Sequence, residues 1–237
     1  MANINKIKKE LQDHSDPIRA KVLQGFFKTN KGEYGYGDIF LGITVPEIRK
    51  LVKKNSDAGI LVIEQLIKSK IHESRLLALL ILVERYQRAS DSEKRTIARF
   101  YLSHRQYINN WDLIDLSAHK IIGHYLLDKP KSILYKLVVS RNIWDRRIAV
   151  LSTFYFIKNN KFVDSLKMAK ILLSDDHDLI QKAVGWMLRE IGKRSIKTEE
   201  EFLKKYYKIM PRTMLRYAIE KFPEKRRLAY LNNAVRQ

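Results

Sequence analysis

The chain has 237 residues, of which 46 are Lys or Arg, 26 are Asp or Glu and none is Cys, for a formal charge of +20 at pH 7. The lack of thiols excludes disulfides, thiolate metal centres and a cysteine nucleophile. The charge makes a polyanion the first partner to expect, nucleic acid ahead of membrane; the longest apolar run, Leu76 to Val83, is far short of a bilayer span. Met1 to Glu10 carry no apolar segment of the signal-peptide kind, so a soluble, cytoplasmic protein is expected.

Nine Gly and five Pro punctuate the sequence, and no stretch alternates apolar and polar residues over strand length. An all-α protein is therefore predicted. A helical pair is expected over 4–14 and 18–28, separated by the start signal Ser15-Asp16-Pro17. The loop from Thr29 to Asp38 holds three of the glycines but lacks the Gly-Lys-Ser/Thr ending and the preceding strand of a phosphate cradle, so it is expected to be a connector. Phe40-Leu-Gly-Ile-Thr-Val leads into a helix with Pro46 near its start, where a missing N–H is harmless. Further helices are expected around 57–69, 72–88, 91–104, 111–127, 130–140, 143–158, 163–174, 178–194, 198–208, 211–221 and 224–234. No Ser/Pro/Gly-rich linker interrupts them, which predicts a single domain over 1–237.

The segment Asn109 to Leu127 organises the rest. Leu113, Leu116, Ile121, Ile122 and Leu126 form one helical stripe, Asn110 stands at the cap, and Asp112 lies in the first turn, where the helix dipole favours an anion. Trp111 and Asp115, four residues apart, share a face. Asn109-x-Trp111-Asp112 recurs 33 residues on as Asn142-x-Trp144-Asp145. Small residues inside helices continue the spacing at Ala149, Ala183 and Ala218. Two helices per ~35 residues predict an α-α superhelix, a HEAT-like repeat solenoid with a basic concave groove.

The repeat also gives directions. At ~100° per residue, Asp115, Trp111, Arg147, Lys182, Trp186 and Arg189 fall within one arc of ~140°, with Arg212 and Arg216 near its basic edge. Cations at repeat spacing suit phosphates, and indole faces suit a sugar or base. A carboxylate among them repels phosphates. It makes sense where a positive charge must be stabilised, such as the oxocarbenium-like sugar of a breaking N-glycosidic bond, or where a water must be oriented.

Phe40-Leu-Gly-Ile, Asn110-Trp-Asp-Leu-Ile-Asp115, Asn142-Ile-Trp-Asp-Arg-Arg147 and Gln181-Lys-Ala-Val-Gly-Trp-Met-Leu-Arg189 resemble the AlkD-type DNA alkylation repair glycosylases, over most of the chain from Phe40 to Arg216. The resemblance implies a HEAT-like-repeat fold and a monofunctional, metal-free and cofactor-free glycosylase. Such an enzyme removes cationic alkylated purines, such as 3-methyladenine and 7-methylguanine, from double-stranded DNA. By that analogy Asp115 is the catalytic carboxylate, Trp111 and Trp186 contact the lesion nucleotide's sugar, and Arg147 and Arg189 hold phosphates. Lys182, Arg212 and Arg216 are added as DNA-binding cations from their place on the arc. One position departs: Phe27 stands where the family pattern places a Tyr. A non-catalytic binder of damaged or branched DNA and a protein-interaction scaffold are the alternatives on the same fold.

Elsewhere, His119 and His124 are ~140° apart on a helix with no third ligand near, so structural roles rather than a metal site are expected. Asp175, Asp176 and Asp178 are expected to cap the helix that follows them and to complement its dipole, and Glu199-Glu200-Glu201 to start the next. Trp144, with Ile148 in place of a partner carboxylate, is expected to pack in the core. A monomer is expected.

Overall fold

In a computed structural model of the chain, residues 3–235 are described. Among them there is no strand, and one isolated bridge joins Ile39 to Ile71. The chain forms two compact units, Met1–Ser117 and Ala118–Gln237. The first holds α1 (Ile4–Asp13), α2 (Pro17–Phe26), α3 (Val45–Lys54), α4 (Ile60–Ile67), α5 (His72–Arg88), α6 (Asp91–Ser103), a 3-10 turn (Arg105–Tyr107) and α7 (Trp111–Ala118) up to its penultimate residue. The second opens with a π-helical turn (His119–Gly123) and α8 (His124–Leu126). It continues through α9 (Ser132–Leu137), α10 (Ile143–Lys158), α11 (Val163–Ile171), α12 (Asp178–Gly192), α13 (Ile196–Tyr206) and α14 (Arg212–Ala218), then a 3-10 turn (Ile219–Lys221) and α15 (Glu224–Leu231). This succession of short helical pairs fits an α-α repeat architecture.

Local chemistry starts these helices. Asp16 accepts the N–H groups of Ile18 and Arg19 and is followed by Pro17 at the first helical position. Thr44 with Glu47, and Ser90 with Glu93, form reciprocal capping boxes on α3 and α6. In the first unit α5 is the central element: every residue from His72 to Val83 is buried, and α1, α3, α4 and α6 pack around it. In the second, α10 packs on the π turn and on α12, and α12 packs on α14.

Two glycines permit those contacts. A Cβ on Gly123 would lie 2.2 Å from the Ser152 carbonyl oxygen, and one on Gly185 would lie 2.4 Å from that of Met214. Helix axes can approach this closely only where the side chain is a hydrogen.

Several boundaries differ from the sequence reading, each for a local reason. The helix expected over 111–127 contains the π turn, where Gly123 fits against α10. The helix over 211–221 tightens into a 3-10 turn at its end. The cap of α12 is His177, whose Nδ1 accepts the Leu179 N–H, rather than any of the three aspartates, while Asp178 lies in the first turn, where an anion complements the dipole. Asp175 pairs with Arg146 at 2.8 Å and Asp178 with Lys182 at 2.6 Å. α13 starts at Ile196 under a Ser195 cap, so Glu199 falls inside it and is buried. His119 lies against Phe154 and His124 against Tyr155, and Trp144 is buried at 8% exposure.

Candidate active site

The start of α7 positions the first candidate residues. Asn110, fully buried, accepts the Trp111 N–H on Oδ1 at 2.9 Å and donates from Nδ2 to Asp38 at 3.0 Å. Asn110 thereby ties the start of α7 to the loop ahead of α3. One turn on, Trp111 and Asp115 line a cavity of about 390 Å³ together with Arg19, Leu23, Phe26, Phe27, Phe40, Ile43, His72, Asp112 and Leu116. The cavity lies wholly within the first unit.

Its wall is a stack of rings. Trp111 lies nearly parallel to Phe27 at 5.1 Å, Phe27 to Phe40 at 4.8 Å, and Phe40 to the His72 imidazole at 4.4 Å. Phe26 meets Trp111 edge-on at 6.0 Å. Offset and edge-on pairs of this kind each stabilise by about 0.5–1.5 kcal/mol beyond area burial. Phe27, the position at which the family pattern departs, is thus the ring that seats Trp111.

Beneath the rings is a buried set of charges. His72 approaches Asp38 through Nδ1 at 3.0 Å and Asp112 through Nε2 at 2.8 Å. Arg75 pairs with the other oxygen of Asp38 and donates to the Ser69 carbonyl at 2.9 Å. Burial alone would lower the His72 pKa. The charge and hydrogen bond of Asp112, with the bond to Asp38, outweigh it and push the imidazole up to about 9. Burial likewise works against the Asp38 carboxylate, but the His72 bond and the Arg75 charge hold it below the usual carboxylate range. Asp112, which the sequence alone assigns to the helix dipole, is therefore half of a buried ion pair.

Glu73 anchors the opposite side. Its carboxylate, 2% exposed, accepts the N–H groups of Leu41, Gly42 and Ile43 at 2.8 to 3.2 Å. Gly42 has φ +84°, and a Cβ there would collide with the Asp16 carbonyl oxygen. That is the physical content of the Phe40-Leu-Gly-Ile segment: a glycine turn clasped by a buried acid. Behind α7, the Tyr101 hydroxyl lies 3.0 Å from Ser117 Oγ; burial, with the Asp115 charge adding, raises its pKa and keeps it protonated.

The second unit carries the other candidates. Trp186 is half-buried, donates from Nε1 to Glu190 at 3.1 Å and tilts against Phe154 at 5.6 Å. Lys182 pairs with Asp178, and Arg189 with Glu220. Arg212 is exposed and donates to the Leu231 carbonyl at 2.6 Å; Arg216 is exposed. Arg147, expected to present its guanidinium to a phosphate, is 5% exposed and donates to the Leu179 carbonyl at 2.6 Å, joining α10 to the start of α12. Ile148, the repeat equivalent of Asp115, is fully buried.

His72, Asp38, Arg75 and Glu73 were not singled out in the sequence. The available signal was a polar run, His72-Glu73-Ser74-Arg75, leading directly into the longest apolar run. Polar residues in a helix that buries every side are retained only when paired. Among the described residues, no group of three or more His, Cys, Asp or Glu is arranged to hold a metal ion, and no helix is long and apolar enough to cross a membrane.

An all-helical chain with a carboxylate set in a concave, aromatic-walled cavity has the kind of site that small-molecule and cofactor binding uses. The chain belongs to the DNA alkylation repair enzyme family, whose model matches residues 7–222. It is similar in fold to a predicted DNA alkylation repair enzyme from Enterococcus faecalis, at 20% identity and a TM-score of 0.69, covering 89% of this chain and 98% of that one. No curated protein matches. Alkylation repair makes damaged DNA the substrate class, and the chain is an enzyme of that process.

Proposed function

We propose that this enzyme is a monofunctional glycosylase that hydrolyses the N-glycosidic bond of cationic alkylated purines, 3-methyladenine and 7-methylguanine, in double-stranded DNA. The observation that carries the reading is that Asp115 and Trp111 line one apolar, ring-walled cavity. A carboxylate in such surroundings stabilises positive charge far better than it would in water.

The chemistry needs little else. An alkylated purine already carries positive charge, so it departs with the bonding electron pair as a neutral base, and no acid is required. The sugar is left oxocarbenium-like at C1′, where Asp115 stabilises it. Water then adds to C1′ and gives up its proton to Asp115 or to solvent, leaving an abasic site. Trp111 offers its face to the sugar. In the second unit, Trp186 offers a ring face, and Lys182, Arg189, Arg212 and Arg216 offer charge to phosphates. Arg147 supports the same helices from within.

The test is base release from duplex DNA carrying 7-methylguanine, with Asp115→Asn beside wild type. The substitution keeps shape and removes charge, so DNA binding is expected to persist while release falls by roughly 10²-fold or more. Equal and negligible release from both proteins, with tight DNA binding, would replace the glycosylase by a damage-binding module.

A further inference from the structure

We propose that His72 is a positioning residue for this site: as the partner of Asp112 it fixes the first turn of α7 and cancels the second negative charge that would otherwise stand beside Asp115. The proposal rests on the reading of Asp115 as the acting carboxylate.

Asp112 and Asp115 are three residues apart on α7, and both line the cavity. Residues so spaced have Cβ atoms about 5–6 Å apart. Two carboxylates on one helix face repel each other unless a cation stands beside one of them. Asp112 has one compensating contact, the 2.8 Å approach of His72 Nε2 to Oδ2, since its buried Oδ1 has no hydrogen-bond partner among the described residues. The ring cannot turn away. Its other nitrogen is held by Asp38, which is itself held by Arg75 and Asn110, and Phe27 and Phe40 pack against it.

The charged groups facing His72 are thus Asp38 from the loop ahead of α3, Asp112 from α7 and Arg75 from its own helix. Arg19 from α2, paired with Asp16 and with Glu47 of α3, shares the cavity wall with Glu73 from α5, and Tyr101 of α6 feels the Asp115 charge. His72 and Arg75 balance Asp38 and Asp112, and the buried Glu73 is taken up by the N–H groups of Leu41, Gly42 and Ile43, so Asp115 does its work beside a cancelled pair. The raised pKa of His72 keeps that balance through neutral pH.

The experiment has two readouts. Side-chain carboxyl carbons are followed by NMR during acid titration of the DNA-free protein, and single-turnover release of 7-methylguanine is measured over the same pH range. His72→Gln, which removes the cation, is expected to raise the Asp115 midpoint by about one pH unit and to move the acid limb of the release profile with it. The double variant His72→Gln/Asp112→Asn removes the second anion as well and is expected to bring both back near wild type. A merely structural His72 would lower release at every pH, leave the midpoint in place and make the double variant worse than either single one; that pattern overturns the proposal. If His72→Gln does not fold, Asp112→Asn alone decides: the Asp115 midpoint falls if the proposal holds, and an unchanged midpoint overturns it. Wild type that releases no base sinks the glycosylase reading, while the NMR midpoints still judge His72.

Discussion

Phe27 shows how much one side chain can hold at this site. It is 6% exposed, with Trp111 on one side and Phe40 on the other. Phe27→Ala removes the central ring of the stack, and thermal or denaturant unfolding is expected to show a loss of about 3–5 kcal/mol. Trp111 would lose its seat at the same time. Arg189 is a second residue-scale case. Its guanidinium already pairs with Glu220, which is half-exposed, so reaching a phosphate means leaving that partner. An exposed pair is worth only about 0–1 kcal/mol, so the exchange is easy. Glu220→Gln is expected to tighten duplex DNA binding by a few-fold in a titration. The same change at Glu224, paired with Arg227 on α15, serves as the control for net charge.

At the scale of elements, close approach and buried anchors decide stability. Gly185 sits where α12 crosses α14, and a Cβ there would press on the Met214 carbonyl oxygen and on Tyr217 Cβ at 2.5 Å. Gly185→Ala is expected to cost about 1–3 kcal/mol in unfolding measurements and to shift its neighbour Trp186. The glycine in the Ala-x-Gly-Trp segment is therefore a packing residue. Glu73 does the equivalent work in the first unit, where it satisfies three consecutive backbone N–H groups of a glycine turn. Glu73→Ala leaves those donors buried and unpaired, at about 1–3 kcal/mol each if water does not replace the acid. A drop in melting temperature with faster amide exchange at Leu41 to Ile43 is the expected signature.

At the scale of the whole molecule, charge sets how the protein responds to its solution. A net charge of +20 predicts that duplex binding weakens linearly in log–log against salt, as phosphate contacts release counterions. Stability should also depend on pH in a stated direction. His72 has a folded pKa of about 9, above its unfolded value near 6.5, so its contribution is complete below about 6.5 and is lost as pH rises through 9. Glu199 works in the same sense: burial, with the charge of Glu200 adding, pushes it up to about 8 against the pull of Arg189 and Arg226. Its neutral form is the one the fold prefers, so its contribution is present below about 4.5 and is lost as pH rises through 8. The melting temperature is expected to fall between pH 6.5 and 9, and Glu199→Gln, which cannot ionise, is expected to flatten the part below pH 8.

The sequence by itself determined the helices, because caps, prolines and apolar spacing act over a few residues: α5 and α10 fall on the predicted 72–88 and 143–158. It also determined the family, through Asn110 to Asp115 and Gln181 to Arg189, and it put Trp111 and Asp115 on one face of one helix. Only the tertiary structure decided what those residues meet. Asp38, His72 and Asp112 are 34 and 40 residues apart along the chain, and no local pattern pairs a loop acid with a histidine and with an acid in another helix's first turn. Arg147 and Glu199 make the same point from the other side. A helical step gives a direction, but burial depends on the neighbouring helix: Arg147, expected to hold a phosphate, donates to the Leu179 carbonyl, and Glu199, expected at a helix start, lies buried in α13. Periodicity is a property of one element, whereas desolvation and ion pairing belong to the space between elements.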